Sequence, residues 1–190
     1  MSRARPVRRT HDRTLLRLEL RAGGTKTRLV AVVSFLMTLL AGYFLGSIPT
    51  GYLVARVRGV DIRSVGSGNI GATNVFRVLG KPAGVFVLLA DAAKGWLAAR
   101  LLPAWIAAWL GVNAPADSSP LEWLMVAGGF AAVLGHNYTC WLRFRGGKGI
   151  ATSAGVLLGW FPWAMWIAFI GIGVAVFTWG FISKGFSFLF

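Results

Sequence analysis

The chain has 190 residues, of which 56% are hydrophobic, and a mean hydropathy of +0.64, whereas soluble domains usually contain about 45–50% apolar residues. Its 20 Lys and Arg residues against six Asp and Glu residues give a net charge of +14. Beside long apolar runs, such a basic excess is typical of cytoplasmic loops of membrane proteins, so nucleic acid is a poor candidate partner. A lone cysteine, Cys140, excludes an internal disulfide, and with two histidines no metal site is expected.

The chain opens with a basic segment. Residues 1–28 contain nine Lys or Arg residues and too little apolar surface to pack on their own, so we predict a disordered N-terminal tail. From Leu29 to Val57 the composition becomes apolar over more than the roughly 20 residues that cross a bilayer core as a helix. This segment is the first predicted membrane span.

Further apolar segments follow the first span. Residues 58–81 and the connector 103–120 are more polar, and Gly and Pro at 159–162 disfavour a continuous helix. The remaining predicted elements are a second span from Pro82 to about Leu102, a third from Leu121 to about Leu142, a short fourth helix after residue 149, and a fifth near Trp163–Ile182. The sequence therefore predicts an all-α, polytopic transmembrane helix bundle with about five spans, in which residues 29–190 form one membrane-embedded domain.

The distribution of positive charge orients these spans. The 58–81 and 143–149 loops contain seven Lys or Arg residues, whereas the 103–120 connector contains none, so both basic loops are expected on the cytoplasmic side. A single crossing by the first span then places the basic tail outside, which conflicts with its charge. Our hypothesis is that translation begins near Met37, because Met37–Val57 is still about 21 residues and can span.

The first motif with chemical meaning is "VGSGNIGATN", residues 65–74. Gly66, Gly68 and Gly71 allow left-handed backbone, and successive amides in such a turn form an anion site. The motif adds four short polar side chains, Ser67, Asn69, Thr73 and Asn74. A helix beginning near Gly71 would place the guanidinium of Arg77 one turn beyond Asn74, where it could bind a phosphate. A glycine-rich turn with Asn caps is an equally good interpretation of this motif alone.

The second motif is "FRGGKG", residues 144–149. Gly146, Gly147 and Gly149 supply flexible backbone donors around the ammonium of Lys148, which suits a phosphate. The spacing is not that of a Walker A loop. A basic turn that only marks the cytoplasmic face is as good an interpretation, but two such loops on one face favour a shared anion site.

Two polar groups interrupt the apolar segments. Asp91 and Lys94 in "DAAKG" stand at i and i+3 and can pair on one helix face, where charge within a span usually faces the bundle interior. A structural ion pair is the alternative to a functional role. His136 and Asn137 in "GHNY" end the third span near the second basic loop, either as a polar cap of the helix or as substrate contacts.

Taken in order, the motifs "GSIPTGYLVAR", "DIRSVGSGNIGATNVFRVLG", "DAAKG", "GHNY" and "FRGGKGIATSAG" resemble the bacterial acyl-phosphate:glycerol-3-phosphate acyltransferases over roughly residues 38–160. The resemblance implies a multi-pass enzyme of the bacterial inner membrane whose site faces the cytoplasm. It would transfer a fatty acyl group from acyl phosphate to the 1-hydroxyl of glycerol 3-phosphate, forming lysophosphatidic acid in phospholipid synthesis. No cofactor is implied.

The resemblance also implies roles for individual residues. The essential serine and arginine of the family's first motif correspond to Ser67 and Arg77, and its phosphate loop to residues 146–149, with Lys148 beside Arg77 as the groups that stabilise developing charge. Gly66, Gly68, Gly71 and the polar side chains of the first motif would line the substrate pocket. The sequence offers no carboxylate dyad and no convincing Ser/His/Asp set, which fits an already activated acyl donor.

A departure from the family pattern at the end of the sequence keeps other functions open. Family members continue past the fifth span with a serine-bearing helix and a basic segment containing a functional His, Asn and Glu, whereas this sequence stops at "FTWGFISKGFSFLF". The expectation is a C-terminally truncated or frameshifted product, which makes an inactive remnant of the enzyme one alternative. A small transporter for anionic metabolites is the other, although no similar halves suggest inverted repeats.

Overall fold

A computed structural model of the chain describes residues 9–111, 119–163 and 165–171, together with 174 and 178. All regular elements in these ranges are helical, which agrees with the all-α prediction. In chain order they are α1 Arg9–Ser47, α2 Thr50–Val57, α3 Ala72–Leu79, α4 Lys81–Trp96, a π-helical segment Leu97–Leu101, α5 Leu102–Trp109, α6 Ser119–Asn137, a 3-10 turn Cys140–Leu142 and α7 Ile150–Trp160. Residues 162–163 and 165–171 are helical as well.

Helix α1 begins within the basic N-terminal segment. The helix begins at Arg9 and so includes most of the basic segment, whereas residues 1–8 lie outside the described part of the chain. The physical reason is that this segment is rich in Leu and Arg, which are good helix formers, and extending an existing helix costs much less than nucleating one.

One stretch of helix in the described residues, Thr25–Val57, is long and apolar enough to cross a membrane, and Ile150–Trp160 is a shorter apolar helix. The predicted first span is therefore present as helix, although it is broken at Ile48 and Pro49, where Pro49 precedes α2. The predicted number of about five spans is not confirmed. Much of the predicted fifth span lies outside the described residues.

The predicted second span extends further than expected. Helix α4 continues through the π-helical segment into α5, so residues 103–109 of the predicted connector are helical. Pro103 stands in the first turn of α5, and the amide of Leu102 donates to the carbonyl of Leu97, five residues back. The wider π turn provides room for the proline ring, which would clash with the carbonyl four residues before it in a regular helix.

Small residues bring the long helices into close contact. At Gly46 of α1 a Cβ atom would overlap the backbone of Ala132 in α6, and at Gly155 of α7 it would overlap the carbonyl of Ala92 in α4. Helices approach this closely only where a side chain is absent. The predicted break at 159–162 is also found, because α7 ends at Trp160. These two contacts place α6 beside α1 and α7 beside α4.

Candidate active site

A cavity of about 290 Å³ lies where the two glycine-containing loops meet α4 and the end of α6. It is built from the loop before α3, helix α3, the end of the second loop, the first turn of α7, two residues of α4 and one residue of α6. Its lining residues are Ser67, Asn69, Gly71, Ala72, Thr73, Asn74, Arg77, Leu88, Asp91, His136, Lys148, Gly149, Ile150 and Ala151. Residues separated by more than 80 positions in sequence thus face one small space.

The buried side chain of Asn74 organises the first loop. Its Oδ1 accepts a hydrogen bond from the amide of Ser67 at 2.9 Å, and its Nδ2 donates to three backbone carbonyls at 3.0–3.2 Å, those of Ile62, Val65 and Asn69. Because Asn74 is only 1% exposed, these bonds are made away from water. The side-chain amide of Asn74 therefore fixes the conformation of the loop that places Ser67 at the cavity.

The glycines of the first loop agree only in part with the prediction. Gly66 and Gly68 have φ values of 59° and 69°, so both use the left-handed region. Gly71 does not, since it caps α3 in an extended conformation with φ −75°. The amides of Ser67 and Gly71 already donate to the side chains of Asn74 and Asn69, so they do not form the anion site that the glycine pattern predicted.

Two helix N-termini supply anion-binding character instead. The first turns of α3 and α7 both line the cavity, and first-turn amides have no acceptor within their own helix. Together with the helix dipole, they favour a negative charge. Arg77, in α3, and Lys148, just before α7, add two exposed cationic side chains to the same lining. The cavity has the composition of a phosphate site.

The glycine pair of the second loop is required by packing. The amides of Gly146 and Gly147 donate to the carbonyls of Asn137 and His136, each at 3.0 Å. A Cβ atom at Gly146 would overlap the His136 carbonyl, and one at Gly147 would overlap the His136 imidazole. Neither glycine lines the cavity, so the predicted phosphate loop contributes Lys148 and Gly149 but not these two residues.

The predicted ion pair in α4 is present and buried. Lys94 Nζ lies 2.8 Å from Asp91 Oδ1 and also donates to the carbonyl of Ile48 at 2.8 Å. Nδ1 of His136 lies 3.7 Å from the same Asp91 oxygen, too far for a hydrogen bond. Lys94 thus ties α4 to the break between α1 and α2, whereas Asp91 and His136 face the cavity.

The cavity brings together most of the residues singled out in the sequence. Outside its lining are Gly66, Gly68, Asn137, Gly146, Gly147 and Lys94. Sequence reasoning missed Ala72, Leu88, Ile150 and Ala151. Three of them are first-turn residues, Ala72 of α3 and Ile150 and Ala151 of α7, and the predicted helix starts could have identified them. No feature of the sequence marks Leu88.

The profile of the glycerol-3-phosphate acyltransferase family matches residues 36–189. The chain belongs to this family. It is 44% identical over 155 residues to the glycerol-3-phosphate acyltransferase of Geotalea daltonii, which covers 80% of this chain and 72% of that protein. It is 52% identical over 130 residues to the Geobacter metallireducens enzyme of the same name. That match covers 68% of this chain and 60% of that enzyme.

Two solved structures from the family are also similar. They are crystal structures of PlsY, an integral membrane glycerol 3-phosphate acyltransferase, in a glycerol 3-phosphate form and a lysophosphatidic acid form. The TM-scores are 0.61 and 0.59 at 41% and 40% identity, and each covers 77% of this chain. The chain spans 66% of the length of PlsY, so it matches about two thirds of a typical relative.

Proposed function

We propose that this chain transfers a fatty acyl group from acyl phosphate to the 1-hydroxyl of glycerol 3-phosphate and forms lysophosphatidic acid. The observation that carries the proposal is the convergence of two helix N-termini, Arg77 and Lys148 on one cavity of about 290 Å³. Both substrates carry a phosphate, and that cavity offers the donors a phosphate needs. The names of the related enzymes and the ligands of the PlsY structures support the same substrate and product.

In this proposal the protein acts by positioning and by stabilising charge. The 1-hydroxyl oxygen attacks the carbonyl carbon of the acyl phosphate, the bond from that carbon to the phosphate oxygen breaks, and the hydroxyl proton passes to the departing phosphate. Arg77 and Lys148 offset the negative charge that develops on the carbonyl oxygen and on the leaving phosphate. Ser67 and Thr73 hydrogen-bond the bound substrates, with no enzyme group required as a base.

We also place this domain, residues 29–190, in the bacterial inner membrane as a multi-pass protein with the cavity at the cytoplasmic face. The lysines and arginines of both loops support the orientation. Large apolar side chains on the outside of the helices support the membrane setting, for example Leu29 at 63% exposure and Trp105 at 77%. A large exposed apolar surface promotes aggregation in water, whereas it is favourable in contact with the lipid chains of a bilayer.

The test measures formation of lysophosphatidic acid from labelled glycerol 3-phosphate. It uses membranes from cells that express the full chain and lack a glycerol-3-phosphate acyltransferase of their own. Acyl phosphate and acyl-CoA are offered separately. Product is expected from acyl phosphate only, and Arg77→Gln and Lys148→Gln should each lower the rate at least tenfold, because each removes a charge from the cavity. Lys81→Gln is the matched control, since Lys81 is exposed outside this lining.

Ser67→Ala should also abolish most of the activity, with Ser34→Ala, whose hydroxyl bonds only within α1, as its control. No product from either donor, in membranes where insertion of the chain is demonstrated, would refute the proposal. A pH–rate profile that changes shape in His136→Gln would contradict the assignment of the proton to the substrate phosphate, since His136 is the histidine at the cavity.

A further inference from the structure

A second cavity, of about 850 Å³, is formed by the same two loops. Gly68 and Gly146 line it, whereas Ser67 and Asn69 of the first loop and Lys148 and Gly149 of the second loop line the first cavity. Its charged lining consists of Arg63, Arg143 and Arg145 against one carboxylate, Asp61. The proposed transfer reaction uses none of these four side chains. The volume lies within the roughly 300–1,000 Å³ of ligand pockets.

Asp61 does not neutralise this cavity, because it is already paired. Two nitrogens of Arg63 donate to its two carboxylate oxygens at 3.0 and 2.8 Å. These bonds lower the pKa of Asp61 to about 2, so the pair stays ionised at physiological pH and is lost only in strong acid. Among the described residues, Arg143 and Arg145 have no carboxylate within 4 Å. Two unpaired guanidinium groups therefore face the cavity.

The turn that carries these two arginines is held in an unfavourable backbone conformation. Arg143 and Phe144 have φ values of 56° and 59°, in the left-handed region that is unfavourable for L-residues other than glycine. The carbonyl of Thr139 accepts the amide of Phe144 at 2.9 Å, and the Thr139 hydroxyl bonds the carbonyl of Ser47 at 2.5 Å. The arginines thus stand on a turn anchored to α1.

Exposed aromatic rings lie beside this turn. Trp141 lines the cavity and is 63% exposed, and Phe144, next to Arg143, is 62% exposed. Aromatic rings of this kind mark the depth of lipid headgroups, and basic pockets at the cytoplasmic surface select anionic lipids. We propose that this cavity binds the headgroup of an anionic phospholipid of the surrounding bilayer, with Arg143 and Arg145 on its phosphate.

The test measures lipid retention by the purified full chain in detergent, using native mass spectrometry with phosphatidylglycerol and phosphatidylcholine of identical acyl chains. Phosphatidylglycerol is expected to be retained at least tenfold better. Arg143→Gln/Arg145→Gln should lose this preference. The control Arg58→Gln/Lys81→Gln removes the same charge from exposed positions outside the cavity and should keep it.

Equal retention of the two lipids by the unmodified chain would overturn the proposal, whatever the folding of the variants. So would equal loss of the preference in the test and control variants. Displacement of phosphatidylglycerol by millimolar inorganic phosphate would assign the cavity to a free anion and would also overturn it. The readout requires no turnover, so these outcomes are independent of the acyltransferase assay.

Discussion

At the scale of single residues, Asn74 is the side chain on which the shape of the first loop depends most. It accepts one hydrogen bond and donates three while nearly fully buried. Asn74→Ala leaves the Ser67 amide and the buried carbonyls without their partner, at about 1–3 kcal/mol for each buried group that water cannot reach. We expect a loss of roughly 2–4 kcal/mol in the free energy of unfolding.

The measurement is thermal unfolding of the purified chain in detergent. Ser34→Ala, which removes a hydrogen bond within α1, is the comparison and should lower the unfolding temperature much less. Asn74→Asp keeps the acceptor for Ser67 but loses the three donated bonds, so it should behave more like Asn74→Ala than like the parent. An unfolding temperature unchanged in both Asn74 variants would contradict this role.

Gly147 gives a second prediction for a single residue. In Gly147→Ala the new methyl group would overlap the His136 imidazole, so the second loop must move away from α6. We expect a lower unfolding temperature, which the double variant Gly147→Ala/His136→Ala partly restores by making room. Gly171→Ala, where no atom of the described residues lies within 4 Å of the added methyl group, is the control and should be neutral. Strictly additive effects of the two substitutions would exclude the contact.

At the scale of elements, the contact between α4 and α7 determines where the first turn of α7 lies. A methyl group at Gly155 would overlap the Ala92 carbonyl, whereas one at Gly159 meets Ala99 Cβ at 3.3 Å, a contact that a small shift relieves. Gly155→Ala should therefore destabilise the chain by about 1–3 kcal/mol, and Gly159→Ala on the same helix much less. Unfolding in detergent compares the two. Equal effects would show that the two helices are not in this close contact.

The elements that the sequence predicted well are those with local signals. Apolar runs and the Gly–Pro break located α6, α7 and the end of α7, and the Gly-rich motif located the start of α3. The π-helical segment and the continuation into α5 were missed, because they depend on how the backbone accommodates Pro103. Helix α1 extends into the basic segment because propagation overrides composition.

For the candidate site, the sequence indicated which residues lie near the cavity more clearly than it indicated the structural role of each residue. Ser67, Arg77 and Lys148 line one cavity, which two polar loops on the same face of a bundle make possible. The roles of Asn74, Gly146 and Gly147 were not predictable, because each depends on a partner that folding brings from elsewhere. A buried amide that shapes a loop and an exposed amide that binds a ligand look alike in sequence.

At the scale of the whole molecule, the proposed orientation can be tested with the single native cysteine. Cys140 is partly exposed in the 3-10 turn beside the second basic loop, so it should face the cytoplasm. Trp109, 72% exposed at the end of α5, is separated from it by α6 and should lie at the opposite surface. The test uses a membrane-impermeant maleimide on the native chain and on the variant Cys140→Ser/Trp109→Cys.

Because seven of the Lys and Arg residues lie in the two loops on one side of these helices, the charge rule assigns that side to the cytoplasm. The reagent should therefore label Cys140 in inverted vesicles but not in intact spheroplasts, and the cysteine at 109 in spheroplasts but not in inverted vesicles. Both should react after solubilisation in detergent, which establishes that each thiol is accessible. Labelling of both positions from the same side would mean that α6 does not cross the membrane, and the reverse pattern would place the cavity outside, away from a cytoplasmic supply of phosphorylated substrates.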